Sequence, residues 1–199
     1  MPNYIDPSKY TVVGLSGIAN SGKDYLAKKV LVSDLGFIPL SIAQWFKCEG
    51  VQFEDLPFEQ TFGDESKDDD VRSFYQNRGT ELGREKHGRD VWINIVEMYM
   101  YFFRERGFNK FVISDIRYPN ESDWIKEFDG KVYRITGRGG AESEKTQNHK
   151  SETAMGGYDK FDGYIDNSEE HQERAPKILK TMVCNDFHNL HEGQDTEGF

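Results

Sequence analysis

The chain has 199 residues, 35 of them acidic against 25 basic, for a formal net charge of -10, and it carries 14 Phe, 10 Tyr and 3 Trp. This length suits a single domain spanning 1–199, with enough apolar matter for a full core. The charge excludes a broad, nonspecific nucleic-acid surface, so no direct nucleic-acid partner is expected, yet it leaves room for a local cationic pocket.

Residues 1–10, with Pro2 and Pro7, read as an irregular lead without the apolar run of a signal peptide. The apolar run at 11–16 then predicts a buried strand, and GIANSGKD at 17–24 follows it directly. Strand, glycine-rich turn and helix together make a phosphate loop, because backbone N–H groups and a helix N-terminus converge there on anionic oxygens. Gly17, Asn20, Ser21 and Gly22 shape the loop, and Lys23 adds a point charge for the β and γ phosphates. Asp24 stands where a Ser or Thr hydroxyl usually meets magnesium; its carboxylate either approaches Mg²⁺ or serves only as a polar residue at a helix start. Residues 24–34 predict a helix with Leu26, Val30 and Leu31 as its apolar stripe, stopped by Gly36. A second strand at 37–40 completes a βαβ opening.

Ser41 is placed to cap the helix that begins SIAQWFK, and Lys47 either lies at the mouth of an acceptor site or faces solvent. The acidic stretch 49–70 reads as an acceptor-side insertion or flap, with Asp68, Asp69 and Asp70 favourable at a helix N-terminus. Residues 71–85 are helix-like despite Gly79, and Arg78 and Arg84 offer guanidinium forks for anionic oxygens, with surface arginines as the alternative. Asp90 can cap a helix over 91–105, whose face of Trp92, Ile95, Val96, Tyr99 and Phe103 packs the core, Trp92 also being a candidate wall of a base pocket.

A buried parallel strand at 111–115 places Asp115 at its carboxyl edge, where ligands enter an open α/β sheet. Asp115 is a candidate for magnesium or substrate, and Arg117 for phosphate, against the alternative of an edge ion pair. A short helix at 121–128 and a strand at 132–136 follow. The polar, glycine-rich stretch 137–158 predicts a lid carrying Arg138, Lys145, His149 and Lys150, with Arg138 as the cation nearest the transferring phosphate. A last strand is expected at 163–167, where Asp166 or Asn167 holds a base or caps the next helix, and Ile178, Leu179, Met182 and Val183 pack a terminal helix. Cys48 and Cys184 fit no metal-binding or redox spacing and read as buried free thiols. No stretch approaches membrane-spanning length, so a soluble intracellular protein with no membrane partner is expected.

In order along the chain stand GIANSGKD at 17–24, SIAQWFK at 41–47, RGTELGR at 78–84, Asp90 and Trp92, SDIRYPNE at 114–121, HKSE at 149–152 and YIDN at 164–167. This ordered set resembles the deoxynucleoside monophosphate kinases of tailed bacteriophages, within the P-loop nucleotide kinases. The resemblance implies transfer of the ATP γ-phosphoryl to a deoxynucleoside monophosphate, with ATP and Mg²⁺ as cofactors, a homodimer, and action in the cytoplasm of an infected bacterial host. It implies donor-phosphate contacts at Gly22 and Lys23, with Asp24 in the magnesium arrangement. It places Arg78, Arg84, Asp115 and Arg117 on the acceptor side, joined as candidates by Ser41, Lys47, Trp92 and Glu152. The catalytic set is then Lys23, Asp24, Arg117 and Arg138, with Asp24 and Asp115 toward the metal.

Two positions depart from the family pattern: Tyr25 follows Asp24 where relatives carry a Thr-like residue, and Arg138 is the lid's lone arginine. The implied fold is a three-layer α/β P-loop kinase core around a mostly parallel five-stranded sheet, with the insertion and lid attached. Two other readings stay open: a different small-metabolite kinase, such as a phosphomevalonate-kinase-like enzyme, and a noncatalytic nucleotide-binding protein.

Overall fold

The computed structural model describes residues 5–63, 65, 67–139 and 154–187. Five strands form one sheet in the order β2-β3-β1-β4-β5: β1 (Thr11–Ser16), β2 (Ile38–Leu40), β3 (Lys110–Ile116), β4 (Lys131–Thr136) and β5 (Gly163–Asp166). Every pairing is parallel, with Val13 facing Val112 on one side and Lys131 on the other. The five apolar runs expected as strands are therefore the five strands observed. Pro39, which cannot donate to a ladder, sits in the edge strand β2, where the missing N–H costs least.

Side-chain alternation along the strands separates two cores. Val12, Phe111, Ile113 and Val132 face α2 (Gln44–Phe53), α4 (Asp69–Gln76), α6 (Val91–Arg104) and α7 (Pro119–Lys126). Val13, Leu15, Val112, Tyr133 and Ile135 face α1 (Lys23–Leu26), its π-helical continuation (Ala27–Val32) and α8 (Ala175–Asp186). Two short helices, α3 (Phe58–Thr61) and α5 (Arg84–His87), also stand among the described residues. The result is an α/β fold of helix, sheet and helix layers. Among the described residues no helix is long and apolar enough to cross a membrane.

Several local expectations change. Helix α2 begins at Gln44 and runs through position 49 to Phe53, with Gly50 buried where a Cβ would meet Leu56, Phe74 and Tyr75. Asp68 caps α4, accepting from the Val71 N–H at 2.9 Å, as the acidic run predicts. Asp90 stands at the N-cap of α6 without capping it; its Oδ1 accepts instead from Asn120 Nδ2 at 2.8 Å and Arg89 Nε at 3.2 Å. Neither Asp166 nor Asn167 caps α8, which starts eight residues beyond Asn167. Ile178, expected to pack, is 40% exposed because Ala175, Leu179 and Val183 take the inward face. Cys48 is exposed and Cys184 half-buried, so neither is the fully buried thiol expected. Most of the stretch read as a lid, including Lys145, His149, Lys150 and Glu152, lies outside the described residues.

Candidate active site

In this strand order the chain leaves the central strand β1 toward β3 and β2 on one side, and β4 and β5 lie on the other. The carboxyl end of β1 is thus a switch point, where an open parallel sheet leaves a crevice. The glycine-rich loop begins there. It turns through Asn20 (φ 60°) and Gly22 (φ 88°), both in the left-handed region, before α1 starts at Lys23. The Lys23 side chain is buried, and its Nζ donates to Ile18 O at 2.8 Å, folding back across the loop it is expected to serve.

The loop is stapled from the far side of the sheet. Asn167, fully buried at the end of β5, donates Nδ2 to Ser21 O at 2.8 Å. The Arg138 guanidinium, just past β4, crosses the same point. A Cβ on Gly22 would fall 2.3 Å from Asn167 Nδ2 and 2.9 Å from Arg138 Nη2, so only glycine admits both. Ser21 Oγ, Arg138 Nε and Asn167 Oδ1 are buried without a hydrogen-bond partner. Three unsatisfied buried polar atoms around one turn cost stability, and two of them, Ser21 Oγ and Arg138 Nε, are donors. Beside them opens a cavity of about 370 Å³, lined by Tyr25, Lys29, Arg138, Gln172 and Glu173. Of the lining residues Tyr25 is half-exposed, and Gln172 accepts from Arg138 Nη1 at 3.2 Å.

On the other side of the loop, Asp24 is exposed and accepts from Ser114 Oγ at 2.6 Å. An exposed carboxylate oxygen beside the glycine-rich loop is of the hard type magnesium takes, one or two protein carboxylates being its usual share with water and phosphate. Asp115 does not share that position. Ser41 Oγ at 2.6 Å and the Ile42 and Ala43 N–H groups at 2.9 and 3.0 Å occupy both of its oxygens, so it caps the turn into α2. Ser41 is consumed in the same cap, also accepting from the Ala43 N–H at 3.1 Å.

Cations gather near Asp24. The Lys67 ammonium is held below the usual lysine range, by burial first and then by Lys47, Arg72 and Arg117; Asp24 pulls the other way. Lys47 and Arg117 thus fall in one electrostatic neighbourhood with Lys67. Lys67 and Arg72 were missed, because a lysine within an acidic run carries no motif signal.

The other candidates are spent on structure. Arg78 makes a two-pronged ion pair with Glu49 of α2. Arg84 pairs with buried Glu121, donates to Gly79 O at 3.2 Å and stacks over the Tyr118 ring at 4.2 Å. Burial pushes the Glu121 carboxyl up, while Arg84 and the Arg117 and Tyr118 N–H groups it accepts pull it back. This buried pair fixes the turn carrying Arg117. Trp92 is buried, with its indole N–H donated to Gly79 O at 2.8 Å, and packs the core. Glu152 lies outside the described residues.

No protein-family model matches the chain. A protein of Acanthamoeba polyphaga mimivirus, provisionally named a deoxynucleotide monophosphate kinase, is 30% identical over 193 residues, covering 86% of this chain and 95% of the viral protein.

Proposed function

The chain belongs to the deoxynucleotide monophosphate kinase family, and from that premise we propose that it transfers the γ-phosphoryl group of ATP to a deoxynucleoside monophosphate, releasing ADP and the deoxynucleoside diphosphate. The observation that carries the proposal is the convergence on the glycine-rich turn of two buried, unpartnered donors, Ser21 Oγ and Arg138 Nε. Donor phosphates complete such a site: loop N–H groups and Lys23 take their oxygens, and Arg138 reaches from the opposite wall. The donor base takes the cavity beside Tyr25, and Gln172 and Glu173 supply acceptors for an exocyclic amine.

The acceptor enters on the Asp24 side, where Lys47, Lys67, Arg72 and Arg117 offset its phosphate charge. One of its phosphate oxygens forms the new bond to the γ phosphorus as the bond to the ADP oxygen breaks. That oxygen is already ionised, so no general base is required, and catalysis comes from in-line positioning and charge stabilisation. Magnesium, held through Asp24, supplies neutralisation of the donor phosphates when bound. The backbone at 137–139, resting on the loop through Arg138, is the root of the lid in this reading.

Coupled detection of ADP tests the proposal, with dAMP, dGMP, dCMP, dTMP and the matching ribonucleotides offered in turn. ADP release that requires both Mg²⁺ and a deoxynucleoside monophosphate is the expected result. ATP binding with no acceptor-dependent release across the panel would overturn it.

A further inference from the structure

Arg138 stands between two glycines that backbone conformation and close packing both demand. Gly137 has φ 94° and Gly139 φ 100°, in the left-handed region that side chains rarely enter. A Cβ on Gly137 would lie 2.1 Å from Asp166 Oδ1 and 2.4 Å from the Ser168 nitrogen, at the end of β5. A Cβ on Gly139 would lie 2.3 Å from Ala19 O and 2.6 Å from the Ser21 nitrogen, on the glycine-rich loop itself. A left-handed glycine does not require such contact. Gly88 and Gly107, at φ 97° and 89°, have nothing within 4 Å of the corresponding point.

The backbone at 137–139 is thus seated at one end on β5 and at the other on the loop, which gives Arg138 a set place between them. Its side chain is held as well: Nη1 donates to Gln172 Oε1 at 3.2 Å, Nη2 lies against Gly22, and Nε is buried. A surface arginine surrenders rotamer freedom when it meets an anion, whereas here backbone and guanidinium are already ordered by the fold. We infer that Gly137 and Gly139 are positioning residues, acting through Arg138 by holding its guanidinium against the turn where the donor phosphates bind in the proposed reaction. The inference rests on that donor-site reading and adds to it the backbone that aims the arginine. The part of each glycine is to exclude a side chain that would push the strap off its seat.

The test is a double-mutant cycle read by calorimetric titration of the full chain with ATP and Mg²⁺. Arg138→Ala should weaken ATP by about tenfold or more, and Gly139→Ala by a similar factor, because the added methyl lifts the strap and carries the arginine with it. The double variant should bind within about twofold of Arg138→Ala alone, since the glycine has nothing left to position. Gly137→Ala, at the other seat, should behave as Gly139→Ala does. Both glycines are exposed, so these variants move the strap and leave the core intact. Gly107→Ala carries the left-handed strain in open space and should bind ATP as the parent does. Losses that multiply in the double variant, full affinity in Arg138→Ala or in both glycine variants, or an equal loss in Gly107→Ala would each overturn the inference while ATP binding by the parent stands. A parent chain that binds no ATP would overturn the donor-site reading, and the inference with it.

Discussion

Lys23 donates to Ile18 O, so replacing it removes that loop hydrogen bond and the charge proposed for the donor phosphates. Lys23→Ala should lower kcat by on the order of 10²–10³ while far-ultraviolet circular dichroism stays unchanged, because such a charge acts on the transition state more than on the fold. Glu97 makes a contrasting prediction about pH. Burial pushes its carboxyl above the ordinary glutamate value of 4.5, against the opposing pull of the Trp124 N–H. The folded chain therefore holds this proton more tightly than the unfolded chain. The associated stability is complete below about 4.5 and is lost as pH rises through the folded value. Glu97→Gln should unfold at higher urea than the parent at pH 8, and the two midpoints should converge near pH 4.5. A gap that stays constant across that range would remove the titration of Glu97 as its cause.

At the scale of elements, the π-helical turn Asn77–Leu82 between α4 and α5 is held by close packing on α6. A Cβ at Gly83 would sit 2.2 Å from Trp92 Cζ2, so Gly83→Ala must displace the indole that also holds Gly79 O. A loss of roughly 1–3 kcal/mol in urea unfolding is expected, the usual range for overpacking. The β5 end is fastened to the glycine-rich loop through a single amide. Asn167→Ala strands Ser21 O in a buried place and should cost about 1–3 kcal/mol, together with a raised KM for ATP. If stability falls while the KM holds, the staple supports the fold without shaping the loop.

These contacts also mark how far the sequence can be read. Strands and the glycine-rich loop were legible because apolar runs bounded by Gly and Pro encode them locally, and Asp68 because capping is a matter of three residues. Asp115, Asn167 and the Arg84–Glu121 pair were not, because their partners lie 72 to 74, 146 and 37 residues away and only the sheet order joins them. Glu121 did leave a trace, as a Glu at the third helical position after Tyr118 and Pro119, and its oxygen does take the Tyr118 N–H at 3.0 Å.

Taken whole, the molecule sets a net charge of -10 against a local gathering of Lys47, Lys67, Arg72 and Arg117, beside a loop that wants anionic ligands. The global charge disfavours polyanions on the surface, and in the proposed reaction the crevice at the sheet's switch point would concentrate the field that two phosphorylated ligands need. In the proposed reaction donor and acceptor meet across Lys23 and Asp24, one on the Arg138 side and the other on the Arg117 side. The most direct test follows the phosphoryl group itself. ATP labelled at the γ phosphorus is incubated with Mg²⁺ and each deoxynucleoside monophosphate, and the products are separated by chromatography. The account predicts label in a deoxynucleoside diphosphate, formed by the parent chain and depleted by on the order of 10²–10³ in Lys23→Ala. Label found only in inorganic phosphate, or left in ATP with every acceptor, would contradict it.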